Sequence, residues 1–150
     1  TNPIRANLAE ALGVSFATPE GIAAKETSAD VVVHASGAPA GLALALQVAG
    51  LEARVVEASW YGTQAVPLAL GEDFHAKRLT LVSSQVGHVA PVQRARWDRS
   101  RRMALALELL ADPVLDHFIT GESPFDDLPS VMARLSADPG GELCHRIRFA

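Results

Sequence analysis

The chain has 150 residues, of which 49% are apolar and 20% charged, so it can bury a core and does not belong to the disordered class. Its 13 Lys and Arg against 17 Asp and Glu give a net charge of -4, which argues against binding nucleic acid or anionic membranes through overall charge. No apolar run reaches the roughly 18 residues of a membrane span, and the single Cys144 cannot form an internal disulfide. We therefore predict a cytoplasmic protein.

The first predicted elements are short. Asn2 is a favourable N-cap and predicts a helix over residues 3–12 that ends at Gly13. Residues 14–16, with the sequence Val-Ser-Phe, are predicted as a short strand, and residues 22–27 as a short helix. This order is that of a doubly wound sheet entered partway through.

The central stretch is Asp-Val-Val-Val-His-Ala at residues 30–35. Its lack of polar alternation is typical of a parallel strand that is covered on both faces. From Pro39 the apolar residues take helical spacing, which predicts a helix that ends at Gly50. Residues 53–59 are predicted as the next strand. Strand, helix and strand within about 30 residues indicate a βαβ crossover.

The later elements follow from the same patterns. They are a last sheet strand over 79–84, a helix over 97–111, a strand over 116–123, a helix from Phe125-Asp126-Asp127 to 136, and a final strand over 143–149. Arginines are concentrated at 94–102, and we interpret them as the solvated face of a helix rather than as a nucleic-acid site.

Ligands of a doubly wound sheet lie beyond the carboxyl ends of its strands, so Ser36-Gly37 and Ser59-Trp60 are predicted on one shared rim. Ser36 stands between a strand and a helix, as the nucleophile of a serine hydrolase does. Its flanks, His-Ala-Ser-Gly-Ala, lack the glycines two residues to either side. A hydrolase that uses Ser36 is one alternative, and a non-catalytic nucleotide-binding or oligomerising module is another.

The five histidines and Cys144 show neither His-Glu-x-x-His nor Cys-x-x-Cys spacing, so no metal site is predicted in this chain. His34 is predicted to be a packed, hydrogen-bonded residue near a strand end.

The order and spacing of five stretches resemble the C-terminal half of a medium-chain, zinc-type alcohol dehydrogenase: residues 30–39, 50–57, 79–87, Phe125-Asp126-Asp127 and Gly140-Gly141. The resemblance covers the whole chain, although no single stretch is a strict signature. It implies an α/β fold with a Rossmann-like doubly wound parallel sheet, truncated at its N-terminus. Residues 1–87 would form this partial dinucleotide-binding domain, and residues 88–150 a C-terminal remnant of the catalytic domain.

The resemblance implies an NAD(P)-dependent oxidoreductase that transfers hydride between a small alcohol or carbonyl substrate and NAD or NADP. It also implies a homodimer paired along the strand at 79–83. The family's glycine-rich phosphate turn, its acidic ribose-binding residue and its catalytic zinc ligands would all precede Thr1. The chain is therefore expected to be the cofactor half, inactive alone, with zinc only in the missing N-terminal half.

The resemblance also implies cofactor contacts, grouped by the part of the cofactor that each would meet. They are Asn2 and Arg5 near the adenosine ribose, Ser36, Gly37 and Ala38 under that ribose, and Ala58, Ser59, Trp60, Ser84, Gln85 and Val86 on the nicotinamide side. The alternative for Arg5 is an exposed cation in the first helical turn. The alternative for the Ser-Gly-Ala turn is a strand end without a ligand. No catalytic residue is assigned.

Overall fold

The computed structural model describes residues 4–25 and 27–149. The described residues form two compact units: the sheet unit, Ala17–Ala90, and the terminal unit, drawn from Thr1–Phe16 and Pro91–Ala150. The sequence-based division into 1–87 and 88–150 stays a prediction. Within the described part of the chain, no helix has the length and apolar character needed to cross a membrane.

The helices and strands follow one another in mixed order. In chain order they are α1 (Ile4–Ala11), α2 (Pro19–Ala23), β1 (Ala29–His34), α3 (Pro39–Val48), β2 (Ala49–Glu57), β3 (Thr80–Ser83), α4 (Arg99–Leu109), β4 (Ile119–Pro124), α5 (Leu128–Ala137) and β5 (Cys144–Arg148). Shorter helical turns occupy Leu70–Phe74, Pro91–Gln93, Pro113–Phe118 and Phe125–Asp127.

The sheet unit contains the predicted βαβ crossover. Strands β1, β2 and β3 are parallel and lie in that order, with α3 connecting the first two. The register places His34 opposite Glu57, and Glu57 opposite Ser83. The last residues of all three strands therefore meet at one edge, which we call the rim.

Helix α3 covers one face of this sheet. It begins with Pro39, whose fixed φ suits the first helical position, and continues through a run of Ala and Leu with high helix propensity. Its buried residues Leu42 and Leu46 pack with Val55, which is fully buried in the centre of β2. Burying a side chain such as Val55 contributes about 1.5–3 kcal/mol to folding, so this contact fixes which face of the sheet is inward.

The prediction that β1 is covered on both faces is wrong, because the opposite face of the sheet carries apolar residues that remain exposed. Val31 and Val33 in β1 are 59% and 64% exposed, and Val82 in β3 is 40% exposed. The register aligns Val33 with Val56 and Val56 with Val82, so these valines form one surface across three strands. We call it the open valine face.

The terminal unit contains a second parallel pair, β4 and β5. In β5 the inward residues His145 and Ile147 alternate with exposed neighbours, as the sequence pattern predicts. Helix α4 begins after Asp98, whose carboxylate accepts a hydrogen bond from the Arg101 N–H at 2.7 Å. This cap satisfies one of the unpaired N–H groups of the first turn.

Two predicted elements are wrong. Residues 14–16 form no strand: Val14 and Phe16 are 57% and 37% exposed, and no strand in the described residues pairs with them. Gly50 does not end the preceding helix, because the chain passes directly into β2 at Ala49 and Gly50 is buried within that strand. A Cβ on Gly50 would lie 2.5 Å from Ser28 Oγ, so glycine is required there by close packing.

Two other boundaries shift. The helix predicted over 22–27 is α2, which starts earlier because the Thr18 hydroxyl accepts a hydrogen bond from the Gly21 N–H and caps it. The strand predicted over 116–123 starts only at Ile119, since Pro113–Phe118 is a helical turn.

Candidate functional site

A hollow of about 500 Å³ lies beyond the ends of β2 and β3. Its walls come from the last residue of each strand and the segment that follows it: Glu57, Ala58, Ser59, Trp60, Ser83, Ser84, Gln85 and Val86. The structure thus brings together six of the predicted cofactor residues, which come from two stretches separated by more than 20 residues. Parallel strands produce this convergence because their carboxyl ends share one edge.

Main-chain hydrogen bonds hold both loops in place. The Ala58 N–H donates to the His34 carbonyl at 2.8 Å, and the Ser84 N–H donates to the Glu57 carbonyl at 2.8 Å. The ladder therefore continues one residue past each strand end. Trp60 and Val86 line the hollow with 90% and 80% of their surface exposed, so an aromatic and an aliphatic side chain are accessible to solvent there.

The loop after β1 is tied to the loop after β2. Gly37 adopts φ +67°, a conformation that glycine tolerates best, and its N–H donates to Ser59 Oγ at 2.9 Å. The Ala38 N–H donates to Ser36 Oγ at 3.2 Å. Ser36, Gly37 and Ala38 therefore sit on the same rim as Ser59, although they do not line the hollow itself.

A buried histidine lies directly under the rim. The His34 side chain is only 5% exposed, with Nδ1 2.8 Å from Glu57 Oε2 and Nε2 2.7 Å from Ser36 Oγ. A carboxylate only accepts hydrogen bonds, so we assign the proton of neutral His34 to Nδ1 from this network. Nε2 is then free to accept the Ser36 hydroxyl proton. The prediction that His34 is packed and hydrogen-bonded is confirmed.

Glu57 is the centre of this network. Its Oε1 accepts the Ser59 N–H at 2.6 Å, and its Oε2 accepts the Tyr61 hydroxyl at 3.0 Å. The Tyr61 ring stacks on His34, with ring centroids 6.4 Å apart and planes inclined by 13°. We call the five residues the rim cluster: His34, Ser36, Glu57, Ser59 and Tyr61.

The network sets the charges of the cluster. Burial alone would raise the pKa of Glu57, but hydrogen bonds from the Ser59 N–H, His34, the Ser59 hydroxyl and Tyr61 together lower the pKa below its ordinary value of 4.5. Burial raises the pKa of Tyr61, and the neighbouring Glu57 carboxylate raises this pKa further. At neutral pH Glu57 is therefore a carboxylate and Tyr61 a neutral phenol that donates to it.

This pKa shift predicts a loss of stability in acid. Because the folded state lowers the pKa of Glu57, its contribution to stability is fully present above the unfolded value of 4.5 and disappears as the pH falls through the folded value. The free energy of unfolding of the wild type should therefore fall below about pH 4.5 more steeply than that of Glu57→Gln. Urea unfolding across this range measures both slopes, and equal slopes would contradict the prediction.

The terminal unit contains a similar arrangement. His145 Nδ1 lies 2.6 Å from Glu142 Oε2, and its Nε2 lies 2.9 Å from Ser123 Oγ. Ser123 is in β4 and His145 in β5, so this chain of bonds links two parallel neighbours, as the His34–Glu57 contact does in the sheet unit. In both units a serine–histidine–glutamate chain of hydrogen bonds therefore ties neighbouring strands together.

Two predicted residues are not among those on the rim. Arg5 is exposed on α1 in the terminal unit and borders a different hollow of about 250 Å³, which His117 and Leu143 also line. Asn2 lies outside the described residues. Among the described residues, no group of three His, Cys, Asp or Glu side chains could hold a metal ion.

Glu57 and Tyr61 are the site residues that the sequence prediction missed. Glu57 reads as an ordinary polar residue near a strand end, and Tyr61 as part of a loop. The sequence feature that could have indicated this site is that two neighbouring strands both end in a polar residue, His34 and Glu57. The register places these two residues opposite each other.

Comparison with known proteins gives structural matches only. No family model matches the chain, and no curated protein matches it. L-idonate 5-dehydrogenase from Escherichia coli K-12 is similar over 99% of this chain and 41% of its own, with TM-score 0.71 and 19% identity. A zinc-binding dehydrogenase from Sinorhizobium meliloti 1021 bound to NADP is similar over 97% and 42%, with TM-score 0.72 and 19% identity.

An alcohol dehydrogenase from Escherichia coli CFT073 in complex with NADH is similar over 97% of this chain and 41% of its own, with TM-score 0.69 and 16% identity. The chain thus spans about two fifths of the length of these solved structures. The chain therefore has the α/β nucleotide-binding fold found in medium-chain, zinc-type alcohol dehydrogenases.

Proposed function

We propose that the complete protein is an NAD(P)-dependent oxidoreductase acting on an alcohol or carbonyl substrate, and that this chain supplies one wall of the cofactor site. The observation that supports this most directly is the hollow where the loops after β2 and β3 converge. It occurs at the carboxyl edge of a parallel sheet, where folds of this kind bind ligands. The structures bound to NADP and NADH have the same fold.

The residues present suit the nicotinamide end of such a cofactor. A hollow of about 500 Å³ is within the usual range for a small-molecule site. Main-chain groups of Ser84, Gln85 and Val86 would bind the carboxamide, and the exposed Trp60 ring offers a flat surface for the nicotinamide. When bound, the cofactor supplies the hydride chemistry. The chain's own residues bind it, orient it and keep water from one face.

Other parts of the proposal concern the rest of the protein. We propose that any zinc is held by residues beyond those described here. The exposed edge of β3 would pair two copies into a homodimer, since an unpaired apolar edge strand requires cover. We place the complete enzyme in the cytoplasm.

Introducing a negative charge into the hollow should weaken cofactor binding. The dinucleotide is an anion, so Ala58→Asp or Ser84→Asp should raise the Kd for NADH or NADPH at least about tenfold through repulsion and loss of space. The matched control is Ala76→Asp, an exposed position that does not line the hollow, which should leave the Kd unchanged. Titration of the complete gene product, followed by nicotinamide fluorescence, gives these values.

Two results would reject parts of the proposal. Binding that Ala58→Asp and Ser84→Asp leave unchanged would place the cofactor elsewhere. Binding without NAD(P)-linked oxidation of any alcohol in a substrate panel would favour the non-catalytic nucleotide-binding module instead.

A further inference from the structure

We propose that Ser36 is a nucleophile activated by His34 and Glu57. Reactive aryl esters would acylate its hydroxyl, and fluorophosphonates would phosphonylate it. This activity would be separate from cofactor binding. The three side chains form an unbroken chain of hydrogen bonds: Ser36 Oγ to His34 Nε2 at 2.7 Å, and His34 Nδ1 to Glu57 Oε2 at 2.8 Å. The order of roles is that of a serine, histidine and acid triad.

Exposure matches these roles. Ser36 is an exposed residue on the loop after β1, as a residue that reacts with an external reagent must be. His34 and Glu57 are 5% and 13% exposed, so the base and its carboxylate are shielded from water. The fixed Nδ1–H leaves Nε2 as the proton acceptor, which is the tautomer that a general base requires.

Space and hydrogen-bond donors are available beside Ser36. A Cβ on Gly41 would lie 2.6 Å from both Ser36 Oγ and His34 Nε2, so glycine is what leaves room for this pair. The Ala38 N–H donates to Ser36 Oγ at 3.2 Å, which holds the serine oxygen in position beside His34. The Gly37 N–H donates to the Ser59 hydroxyl and could instead donate to a developing oxyanion once that hydroxyl turns away.

The reaction with an aryl ester balances without another reagent. Ser36 Oγ attacks the carbonyl carbon while His34 Nε2 takes the hydroxyl proton, and a tetrahedral oxyanion forms. The C–O bond to the aryl group breaks, the phenol leaves with the proton from His34, and the acyl group remains on Ser36. Water attacks the acyl group in the same way, releasing the acid and restoring the hydroxyl. With a fluorophosphonate, fluoride leaves and the phosphonyl group stays.

Ser123 provides a matched control within the chain. It has the same chain of bonds, to His145 and through it to Glu142, but it is half-buried. It is followed by Pro124, which has no N–H and cannot supply the donor that Gly37 supplies after Ser36. Ser123 should therefore remain unlabelled although it has a histidine partner.

The test is labelling of the 150-residue chain with a fluorophosphonate, followed by intact mass and peptide mapping. We expect a single adduct on Ser36, none on Ser123, and no adduct in Ser36→Ala. His34→Gln should lower the labelling rate at least about 100-fold, since it removes the base. Ser59→Ala should raise the rate severalfold because it frees the Gly37 N–H, and a loss of folding could not produce an increase.

The proposal is overturned if Ser36 reacts no faster than Ser123, or if His34→Gln reacts as fast as the wild type. A rate that does not rise in Ser59→Ala would exclude Gly37 as an oxyanion donor and count against the site. The labelling reagent needs no cofactor, so labelling of Ser36 and binding of NADH are independent results. Either one can succeed when the other fails.

Discussion

Replacing His34 by alanine should lower the free energy of unfolding by about 2–3 kcal/mol. The substitution removes a buried ring and its bonds to Glu57 and Ser36, and it leaves the Glu57 carboxylate with one partner fewer. Glu57 keeps the Ser59 N–H and the Tyr61 hydroxyl, which limits the loss. Without these two donors, an unpaired buried charge would cost more.

Urea unfolding at neutral pH measures this effect through the midpoint and slope of the transition. His75→Ala is the matched control, because His75 is exposed and should cost less than about 0.5 kcal/mol. A loss at His34 no greater than the loss at His75 would mean that the rim cluster contributes nothing to folding.

Replacing Gly41 by alanine should destabilise the protein by about 1–2 kcal/mol, although alanine favours helices. Alanine in place of glycine contributes up to about 1 kcal/mol in a helix interior. Here the new Cβ would lie 2.6 Å from His34 Nε2 and Ser36 Oγ. The Ser36 hydroxyl can rotate away, but the buried His34 ring stays held by Glu57 at Nδ1, so the clash outweighs the gain.

The control for this prediction is Gly71→Ala, since a Cβ on Gly71 meets nothing within 4 Å. Thermal unfolding of the two variants should give a lower Tm for Gly41→Ala and an unchanged or higher Tm for Gly71→Ala. A stabilised Gly41→Ala would show that the rim cluster rearranges at little cost.

The parallel core was readable from the sequence because its signals were strong and local. The uninterrupted valines of β1 and the helical spacing after Pro39 predicted the crossover, and the structure pairs β1 and β2 in parallel. Contacts between distant residues decided the errors. Residues 14–16 have the composition of a strand, but no strand among the described residues pairs with them. Gly50 is a residue type that often ends helices, but here it lies within the packed strand β2.

The sequence analysis predicted which loops form the site but not the side-chain contacts within it. The resemblance implied that Ala58–Trp60 and Ser84–Val86 face the same end of the cofactor, and their convergence agrees with the rule that parallel strand ends share an edge. The rim cluster did not follow, because it depends on the register that sets His34 opposite Glu57 and on the path of the loop that returns Tyr61 to Glu57. The His34–Glu57 contact joins residues 23 apart in sequence, and the Tyr61–Glu57 contact depends on a loop conformation that the sequence pattern does not indicate.

The open valine face affects how the purified chain should behave. Each Å² of apolar surface that is removed from water contributes about 25 cal/mol of favourable free energy, so association of two molecules through this face is favourable. Val33 and Val82 lie in register on the two outer strands with Val56 between them, and Val31 extends the apolar surface along β1. Sedimentation and light scattering should accordingly report larger particles as protein concentration rises, and mild detergent should reverse this.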